Sequence, residues 1–318
     1  MRTLAFDGRM GAAGDMLLGA LLAAGADRDA LSVVEDTLDI EYAVSEVDRR
    51  GIAATRVDVL LTNAASDGDG SQDHAHDGHS HSHTHDEGHG HTGDDAHAHS
   101  HDEHTHAEGH GPSRTYAEVV ELVEGMDLPA AVRADALAIF EILGEAEASV
   151  HGTDLDDTHF HEVGADDAIA DIVGTCLLLD DLDVEQVVTT TPATGGGTVE
   201  MSHGTYPVPT PAVVEIAEQA DWSLQGGPID RELLTPTGAA ILAHIAEGTE
   251  SLPPLDINAS GYGAGGWDLD DRPNVLRAMV GDSAGRLRRD EITVLETNVD
   301  DAPPEVLGDL QRSLPDIG

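Results

Sequence analysis

The feature that most constrains the fold is a segment, Ser66 to Ser113, that contains no Val, Ile, Leu, Met or aromatic residue. It holds fourteen of the nineteen histidines of the chain, between His74 and His110, interleaved with Asp, Glu, Gly and Ser. Because the segment has no large apolar side chains to bury, nothing offsets the conformational entropy that folding would cost. We therefore predict a disordered, His- and Asp-rich insertion over residues 66–113.

The parts of the chain on either side of this insertion carry alternating helix and strand patterns. Residues 1–65 are predicted to form the N-terminal part of an α/β domain, and residues 114–285 its main portion. The fold class is therefore α/β or α+β, a mixed sheet with flanking helices, and the strand order stays open. Residues 286–318 are expected to begin a truncated C-terminal domain.

Helix starts carry the clearest local signals. Thr115 and Glu118 have the spacing of a capping box. The pairs Thr210–Pro211 and Thr235–Pro236 each place an N-cap threonine before a proline in the first helical position. The other predictions used below are helices over Met16–Ala24, Arg28–Leu38 and Asp166–Leu179 and strands over Thr3–Phe6, Val187–Thr190, Val275–Val280 and Ile292–Glu296.

The charge of the chain is extreme, because 62 acidic residues oppose 15 basic residues and the net charge is -47. Every basic residue is arginine. Such a charge repels DNA, RNA and anionic membranes, so neither a nucleic acid nor a membrane is expected as a partner. Self-repulsion destabilises a compact fold in dilute buffer, whereas molar salt shortens the Debye length to roughly 3 Å. Acids spread over the whole chain favour adaptation to a high-salt cell over an acidic interaction protein.

The cellular compartment is predicted from three features that the sequence lacks: paired cysteines, a membrane span and a secretory signal. Cys176 is the single cysteine, so one chain forms neither a disulfide framework nor a cysteine-rich zinc site. The longest apolar stretches, such as Met16 to Ala24, are shorter than the ~20 residues of a membrane span. The N-terminus has no secretory signal pattern. We expect a cytoplasmic protein.

The histidine-rich segment indicates metal handling. Imidazole suits Ni, Zn, Cu and Co, and affinity for divalent ions rises toward Ni and Cu. Alternating His-x-His pairs on a flexible chain would bind several ions weakly and exchangeably. The segment thus favours capture, storage or delivery of a metal, and the alternative is a low-complexity linker without that duty.

A more constrained group consists of His159, His161 and Glu162, which precede a predicted helix start at Asp166. Two histidines separated by one residue project to the same side of an extended segment. Glu162 and acids of the next helix, such as Asp166 and Asp171, would complete a mixed nitrogen and oxygen shell for a divalent metal. The alternative makes Asp166 an N-cap and the histidines ordinary polar residues of a loop.

A glycine-rich turn between the first strand and the first helix contains Asp7 and Asp15. Such turns either bring backbone N–H groups close to phosphate or allow tight packing around a metal carboxylate. The turn matches neither the P-loop nor the dinucleotide pattern. Its two aspartates are candidate catalytic residues on either interpretation.

Further candidates lie in the second half of the chain. Gly196 belongs to a glycine run that is either a point of ligand approach or a plain turn, and His203 opens a proline-rich loop that would offer one more metal ligand. Arg272, Asn274 and Arg277 are the best candidates for holding an anion, because arginine forms bidentate bonds to phosphate or carboxylate.

Six motifs follow one another along almost the whole chain. They are Asp7–Met16 (DGRMGAAGDM), His159–Val173 (HFHEVGADDAIADIV), His203–Pro211 (HGTYPVPTP), Leu233–Ala240 (LLTPTGAA), Gly261–Gly265 (GYGAG) and Glu296–Asp301 (ETNVDD). In sequence and in order they resemble the LarC family of nickel-insertion proteins, many of which carry a histidine-rich insertion. The HFHEVGA stretch is the most specific of the six.

The resemblance implies a reaction and its participants. Family members insert Ni(II) into pyridinium-3,5-bisthiocarboxylic acid mononucleotide, forming Ni–S and Ni–C bonds of the nickel-pincer nucleotide cofactor, with CTP and Mg or Mn. The expected activity is that of a nickel chelatase or cyclometallase of the lyase class. On this basis His159, His161 and Glu162 hold nickel for transfer, with His203 as a further ligand. A carboxylate of Asp7, Asp15, Asp166 or Asp171 assists proton loss at the metallated carbon.

The resemblance also leaves two competing functions open. The family pattern normally continues beyond Asp301 into a C-terminal domain to which CTP is ascribed. This chain is therefore expected to be a truncated form, a frameshifted half, or one of two separately made chains, the last with a C-terminal CTP-binding partner chain. Without it, the chain would act as a nickel storage or delivery module that has no independent catalysis. A metal-dependent phosphohydrolase is a third, less favoured class. The oligomeric state does not follow from the sequence.

Overall fold

The structure, a computed structural model, describes residues 1–62, 114–160, 165–201 and 204–283, together with the backbone of residues 105–106. The helices are α1 (Gly14–Ala23), α2 (Ser32–Leu38), α3 (Tyr116–Gly125), α4 (Ala130–His151), α5 (Asp166–Leu182), α6 (Pro211–Gln219) and α7 (Pro236–Ile245), with short 3-10 turns at Arg28–Leu31 and Leu155–Asp157. The strands are β1 (Arg2–Asp7), β2 (Ile40–Arg49), β3 (Ile52–Leu61), β4 (Thr105–His106), β5 (Gln186–Thr190), β6 (Ala193–Gly195), β7 (Thr198–Met201), β8 (Gly204–Pro207), β9 (Gln225–Gly226), β10 (Glu247–Thr249), β11 (Leu255–Ala264) and β12 (Val275–Ser283).

Seven of these strands form a mixed central sheet in the order β10-β5-β1-β12-β11-β3-β2, and the short β4 pairs with β3. Strands β10, β5 and β1 are parallel to one another, and β12 runs antiparallel between β1 and β11. Two small sheets, β6 with β9 and β7 with β8, lie apart from it. The prediction of a mixed sheet with flanking helices is confirmed.

The helices cover one face of this sheet. Alternate residues of β1 point to opposite faces, so Leu4 and Phe6 join the main hydrophobic cluster with the helices, whereas Ala5 belongs to a separate small cluster with Val188 and Met279. We call the face that carries Ala5 and Met279 the second face. No helix within the described ranges is long and apolar enough to cross a bilayer.

Glycines allow α1 to lie directly on the sheet. A Cβ at Gly263 would overlap the carbonyl oxygen of Met16, and a Cβ at Gly261 would overlap that of Ala20. Both glycines lie within β11 and belong to the motif Gly261–Gly265. Their role in the structure is the close approach of helix and strand backbones.

The local helix signals are confirmed. Thr115 and Glu118 form the predicted capping box, and Pro211 and Pro236 each occupy the start of a helix after an N-cap threonine. The predicted strand at Ile292–Glu296 lies outside the described residues. Several strands were not predicted, among them the acid-rich edge strand β2 and β11. Strand β11 lacks the clean alternation of apolar and polar residues that marks a half-buried strand.

Candidate functional site

The candidate site lies at the edge of the sheet where β1, β5 and β10 end. These strands are parallel, so their carboxyl ends meet at one edge. Ligands of open α/β sheets bind in the crevice outside the carboxyl ends of the strands. Asp7 is the last residue of β1 and Thr190 the last of β5. The glycine-rich turn after β1 and the start of α1 therefore lie at this carboxyl edge.

The glycines of this turn face other parts of the protein. The Gly8 N–H donates to the Thr190 hydroxyl at 3.0 Å. Gly11 has a positive φ of 79°, and a Cβ there would overlap the carbonyl oxygen of Leu233. The turn is thus packed against neighbouring parts of the protein.

Gly14 brings two distant motifs together. It is the first residue of α1, and a Cβ at this position would overlap the carboxylate of Asp171, which projects from α5. The Asp171 carboxylate thus lies against the N-terminus of α1, where the helix dipole favours negative charge. Burial raises the pKa of Tyr42, and the negative charge of Asp171 raises it further. Asp15, in the same first turn of α1, accepts a hydrogen bond from the Met16 N–H at 2.7 Å.

Asp7 is held by two arginines. Its Oδ1 accepts from Arg9 Nε at 2.7 Å, and its Oδ2 accepts from Arg9 and from Arg277 at 2.6 Å each. Burial by itself would raise the pKa of Asp7, but the hydrogen bonds and positive charges of Arg9 and Arg277 outweigh it and lower the pKa below its ordinary range. Arg9 was not predicted as a site residue, although its position two residues after Asp7 was a usable signal.

Asp166 is also paired with an arginine. It is buried at the first position of α5, and its carboxylate lies 2.7 Å from the Arg114 guanidinium. The N-cap of α5 is Ala165, so the alternative interpretation of Asp166 as an N-cap is wrong by one position. Asp166 begins the helix with a negative charge where the helix dipole favours one.

His159 lies on an exposed segment beside the start of α3. It forms an isolated bridge with Thr115, and its side chain is exposed while those of Thr158 and Phe160 on either side are buried. Hydrogen bonds from the Thr115 N–H and hydroxyl lower the pKa of Glu118, and nearby His159 acts in the same direction. An exposed His159 fits a metal ligand and an ordinary polar residue of a loop equally well.

The other predicted nickel ligands, His161, Glu162 and His203, lie outside the described residues, as does almost all of the histidine-rich segment. Within the part of the chain that the structure does describe, no three His, Cys, Asp or Glu side chains are grouped so as to hold a metal ion. The ligand set therefore stays a prediction. Cys176 is buried, and burial raises the pKa of its thiol.

The three predicted cofactor-binding residues fall at separate places. The Gly196 N–H donates to the Arg231 carbonyl at 3.2 Å, within the turn after β6. Arg272 is on the surface and pairs with the adjacent Asp271 at 2.6 Å. Asn274 is buried at the carboxyl edge, where its side-chain amide lies over Gly265 and its Oδ1 has no hydrogen-bond partner among the described residues.

Comparison with known proteins identifies the class. The profile of the family described as nickel insertion protein matches residues 4–318. A protein of Methanococcoides burtonii, provisionally named a nickel insertion protein, is 38% identical over 315 residues, which cover 99% of this chain and 67% of that protein. A similarly named protein of Methanosarcina mazei is 38% identical over 320 residues, covering 100% of this chain and 69% of its own length. In a third, from Geotalea daltonii, the identity is 45% over 208 residues, 64% of this chain and 52% of that protein.

No solved structure matches this chain. The chain belongs to the nickel insertion protein family. A role in nickel insertion follows from this membership, and Asp7, Asp15 and Asp171 at the carboxyl edge belong to two of the motifs that carried the resemblance.

Proposed function

We propose that the protein inserts Ni(II) into pyridinium-3,5-bisthiocarboxylic acid mononucleotide to form the nickel-pincer nucleotide cofactor. The observation that carries this proposal is the contact between Gly14 and Asp171. It joins the first and second motifs of the family, which are far apart in the sequence, at the edge of the sheet where α/β proteins bind ligands. The contact thereby brings carboxylates of both motifs to this edge.

The reaction requires a base. Ni(II) binds the two thiocarboxylate sulfurs, and the electron pair of a ring C–H bond becomes the Ni–C bond while the proton leaves. A carboxylate at the metallated carbon would accept that proton and pass it to solvent. Nickel is consumed as a substrate, so the protein needs to deliver it rather than retain it.

The geometry separates the four candidate carboxylates into two pairs. Asp7 and Asp166 each form ion pairs with arginine. A carboxylate whose pKa is lowered by arginine, as that of Asp7 is, is a weak base. Asp15 and Asp171 lie together at the N-terminus of α1, where the Asp171 carboxylate of α5 contacts Gly14 and so joins the first two motifs of the family. We assign proton transfer to Asp171, with Asp15 as its neighbour.

Nickel would be delivered by residues that face solvent. His159 faces outward, and we propose that it holds Ni(II) together with His161 and Glu162, with His203 as a further ligand. Imidazole nitrogen binds Ni(II) well, and the softer sulfurs of the substrate would then take the metal from it.

CTP with Mg or Mn is proposed as a co-substrate of the complete reaction. The described residues do not fit such a complex, because a triphosphate needs several cations and its metal needs clustered carboxylates, and no such metal-binding group occurs among them. We therefore assign none of the described residues to CTP, and we propose that a C-terminal partner chain binds it.

Nickel storage or delivery without catalysis is the second candidate function. It is favoured by the fourteen histidines between His74 and His110. Removal of that segment separates the two functions, because a store loses most of its nickel capacity whereas an inserter keeps its rate at saturating nickel.

The proposal is tested by nickel transfer to the bisthiocarboxylated pyridinium mononucleotide in molar KCl, with and without CTP, followed by mass spectrometry. With the C-terminal CTP-binding partner chain added, we expect nickel-containing product in the sample with CTP. Product without CTP would show that the chain needs none. No product in either sample, despite tight nickel binding, would contradict the proposal and favour the storage function.

A further inference from the structure

We propose that Arg277 and Arg9 form the subsite that holds an anionic group of the substrate, its phosphate monoester or a ring thiocarboxylate, on the second face of the sheet at the carboxyl edge. This inference rests on the proposed function, because the substrate class is taken from it. Asp7 is on this view a positioning residue, which fixes two guanidinium groups and does not itself meet the substrate.

The first argument is the charge of this cluster. Two guanidinium groups share the single carboxylate of Asp7, so the cluster keeps one positive charge. Arg28 and Arg272, by contrast, are each matched by one acidic partner, Glu35 and Asp271. In a chain of net charge -47, an uncompensated positive charge that is held in place by a buried carboxylate marks a position where an anion would be stabilised.

The second argument concerns hydrogen-bond donors. An arginine has five N–H donors, and one nitrogen of Arg277 donates a hydrogen bond to Asp7. Its Nε is buried and has no hydrogen-bond partner within the described ranges. Leaving a buried donor unpaired is costly, so a ligand oxygen at this position would be favoured. Arg9 is 70% exposed and offers further donors to the same ligand.

The third argument is the position of Arg277 in the sheet. On β12 it lies directly opposite Asp7 of β1 on one side and Tyr262 of β11 on the other. Residues directly opposite in antiparallel strands project from the same face, so Tyr262 stands beside the guanidinium. Its half-buried ring supplies a flat apolar surface that suits an aromatic ligand. An anion-binding group next to an aromatic ring fits a pyridinium mononucleotide.

The test is calorimetric titration of the full chain in molar KCl, without nickel. The probe is nicotinic acid mononucleotide, a pyridinium mononucleotide with a ring carboxylate, and its riboside and inorganic phosphate are titrated in parallel. Salt at this level screens distant charges, so a surviving effect comes from direct contact. We expect Arg277→Gln to weaken mononucleotide binding by about 10- to 100-fold, the range for hydrogen bonds to charged groups.

Arg56→Gln is the matched control. Arg56 is also a strand residue of the central sheet, with a side-chain exposure of 34% against 31% for Arg277, and it pairs with Asp58. This variant should bind the mononucleotide as the wild type does. Arg9→Gln is the second test variant, because Arg9 is exposed and its loss should not disturb folding. We expect it to weaken binding by about tenfold.

Comparison of the probes shows which anionic group of the mononucleotide the two arginines bind. If Arg277→Gln weakens the mononucleotide but not the riboside, the phosphate is held; if both weaken equally, the ring carboxylate is held. If Arg277→Gln does not fold, mononucleotide binding by Arg9→Gln tests the inference in its place. Wild-type affinity in both variants, an equal loss in Arg56→Gln, or no binding of any probe to the wild type would overturn the inference. Because nickel is absent, Arg277-dependent binding with no nickel transfer would leave this inference standing while the proposed function fails.

Discussion

The two faces of the central sheet are built in different ways. On the helix-covered face, α1 lies so close to β11 that only glycine fits at positions 261 and 263, and the main hydrophobic cluster fills the remaining space. On the second face, the apolar clusters are small, and Asp7, Arg9 and Arg277 form a charged group at the carboxyl edge.

We infer from this difference that the helix-covered face supplies most of the stability of the fold and that the second face serves ligand binding. Close packing over a large apolar area supplies most of the free energy of folding. Ion pairs whose arginine is partly exposed, as in this group, contribute less to stability than such packing does, so their positions can serve ligand binding. We therefore expect substitutions on the helix-covered face to lower stability strongly and substitutions on the second face to affect binding first.

The largest expected effect on stability comes from Gly263→Ala. The added methyl group would overlap the carbonyl oxygen of Met16 and push α1 away from β11. Overpacking of this kind costs about 3 kcal/mol. The free energy of unfolding is measured by urea titration in molar KCl.

Gly125→Ala is the control for this substitution. Gly125 is the last residue of α3, and no atom lies within 4 Å of an added Cβ. The variant should be neutral or more stable by up to about 1 kcal/mol, because alanine favours helix. Equal stability of the Gly263 variant and the wild type would mean that α1 does not depend on this close approach.

A smaller effect is expected from Asp7→Asn on the second face. The arginines lower the pKa of Asp7, so its stabilising contribution is present above the unfolded-state pKa and is lost as the pH falls through the folded-state value. At neutral pH the variant should be less stable by about 2 kcal/mol. The difference should shrink below about pH 4, near the ordinary pKa of an aspartate.

The measurement is the unfolding free energy of both proteins between neutral and acidic pH. A difference that stays constant down to the lowest pH would contradict the charged state assigned to Asp7. Because Asp7 holds Arg9 and Arg277, the same variant should also weaken mononucleotide binding, whereas Gly125→Ala should not.

Local signals in the sequence predicted much of the fold. The Thr115 capping box and the two Thr-Pro helix starts depend on residues a few positions apart, so they are visible without tertiary structure. The start of α1 was predicted at Met16, two residues late, because the apolar pattern begins there and Gly14 gives no helical signal.

Such local signals could not predict how the residues of the site are arranged in space. The pairing of β1 with β12 joins Asp7 to Arg277, and the contact of Gly14 with Asp171 joins α1 to α5. Both unite residues that are distant in the sequence, and a single sequence carries no record of which distant strands and helices meet. The resemblance to the family identified the motifs, and the topology of the central sheet shows which of them lie at the same edge.

The most direct test of the proposed site is the rate of nickel insertion by Asp171→Asn. Asparagine keeps the size of the side chain beside Gly14 but cannot accept the proton. We predict that the rate falls by about 100-fold or more, while nickel binding, measured in parallel, is unchanged. Asp180→Asn, an exposed position on the same helix, should insert nickel at the wild-type rate. Insertion by Asp171→Asn at the wild-type rate would contradict the assignment of the carboxyl edge as the site of the reaction.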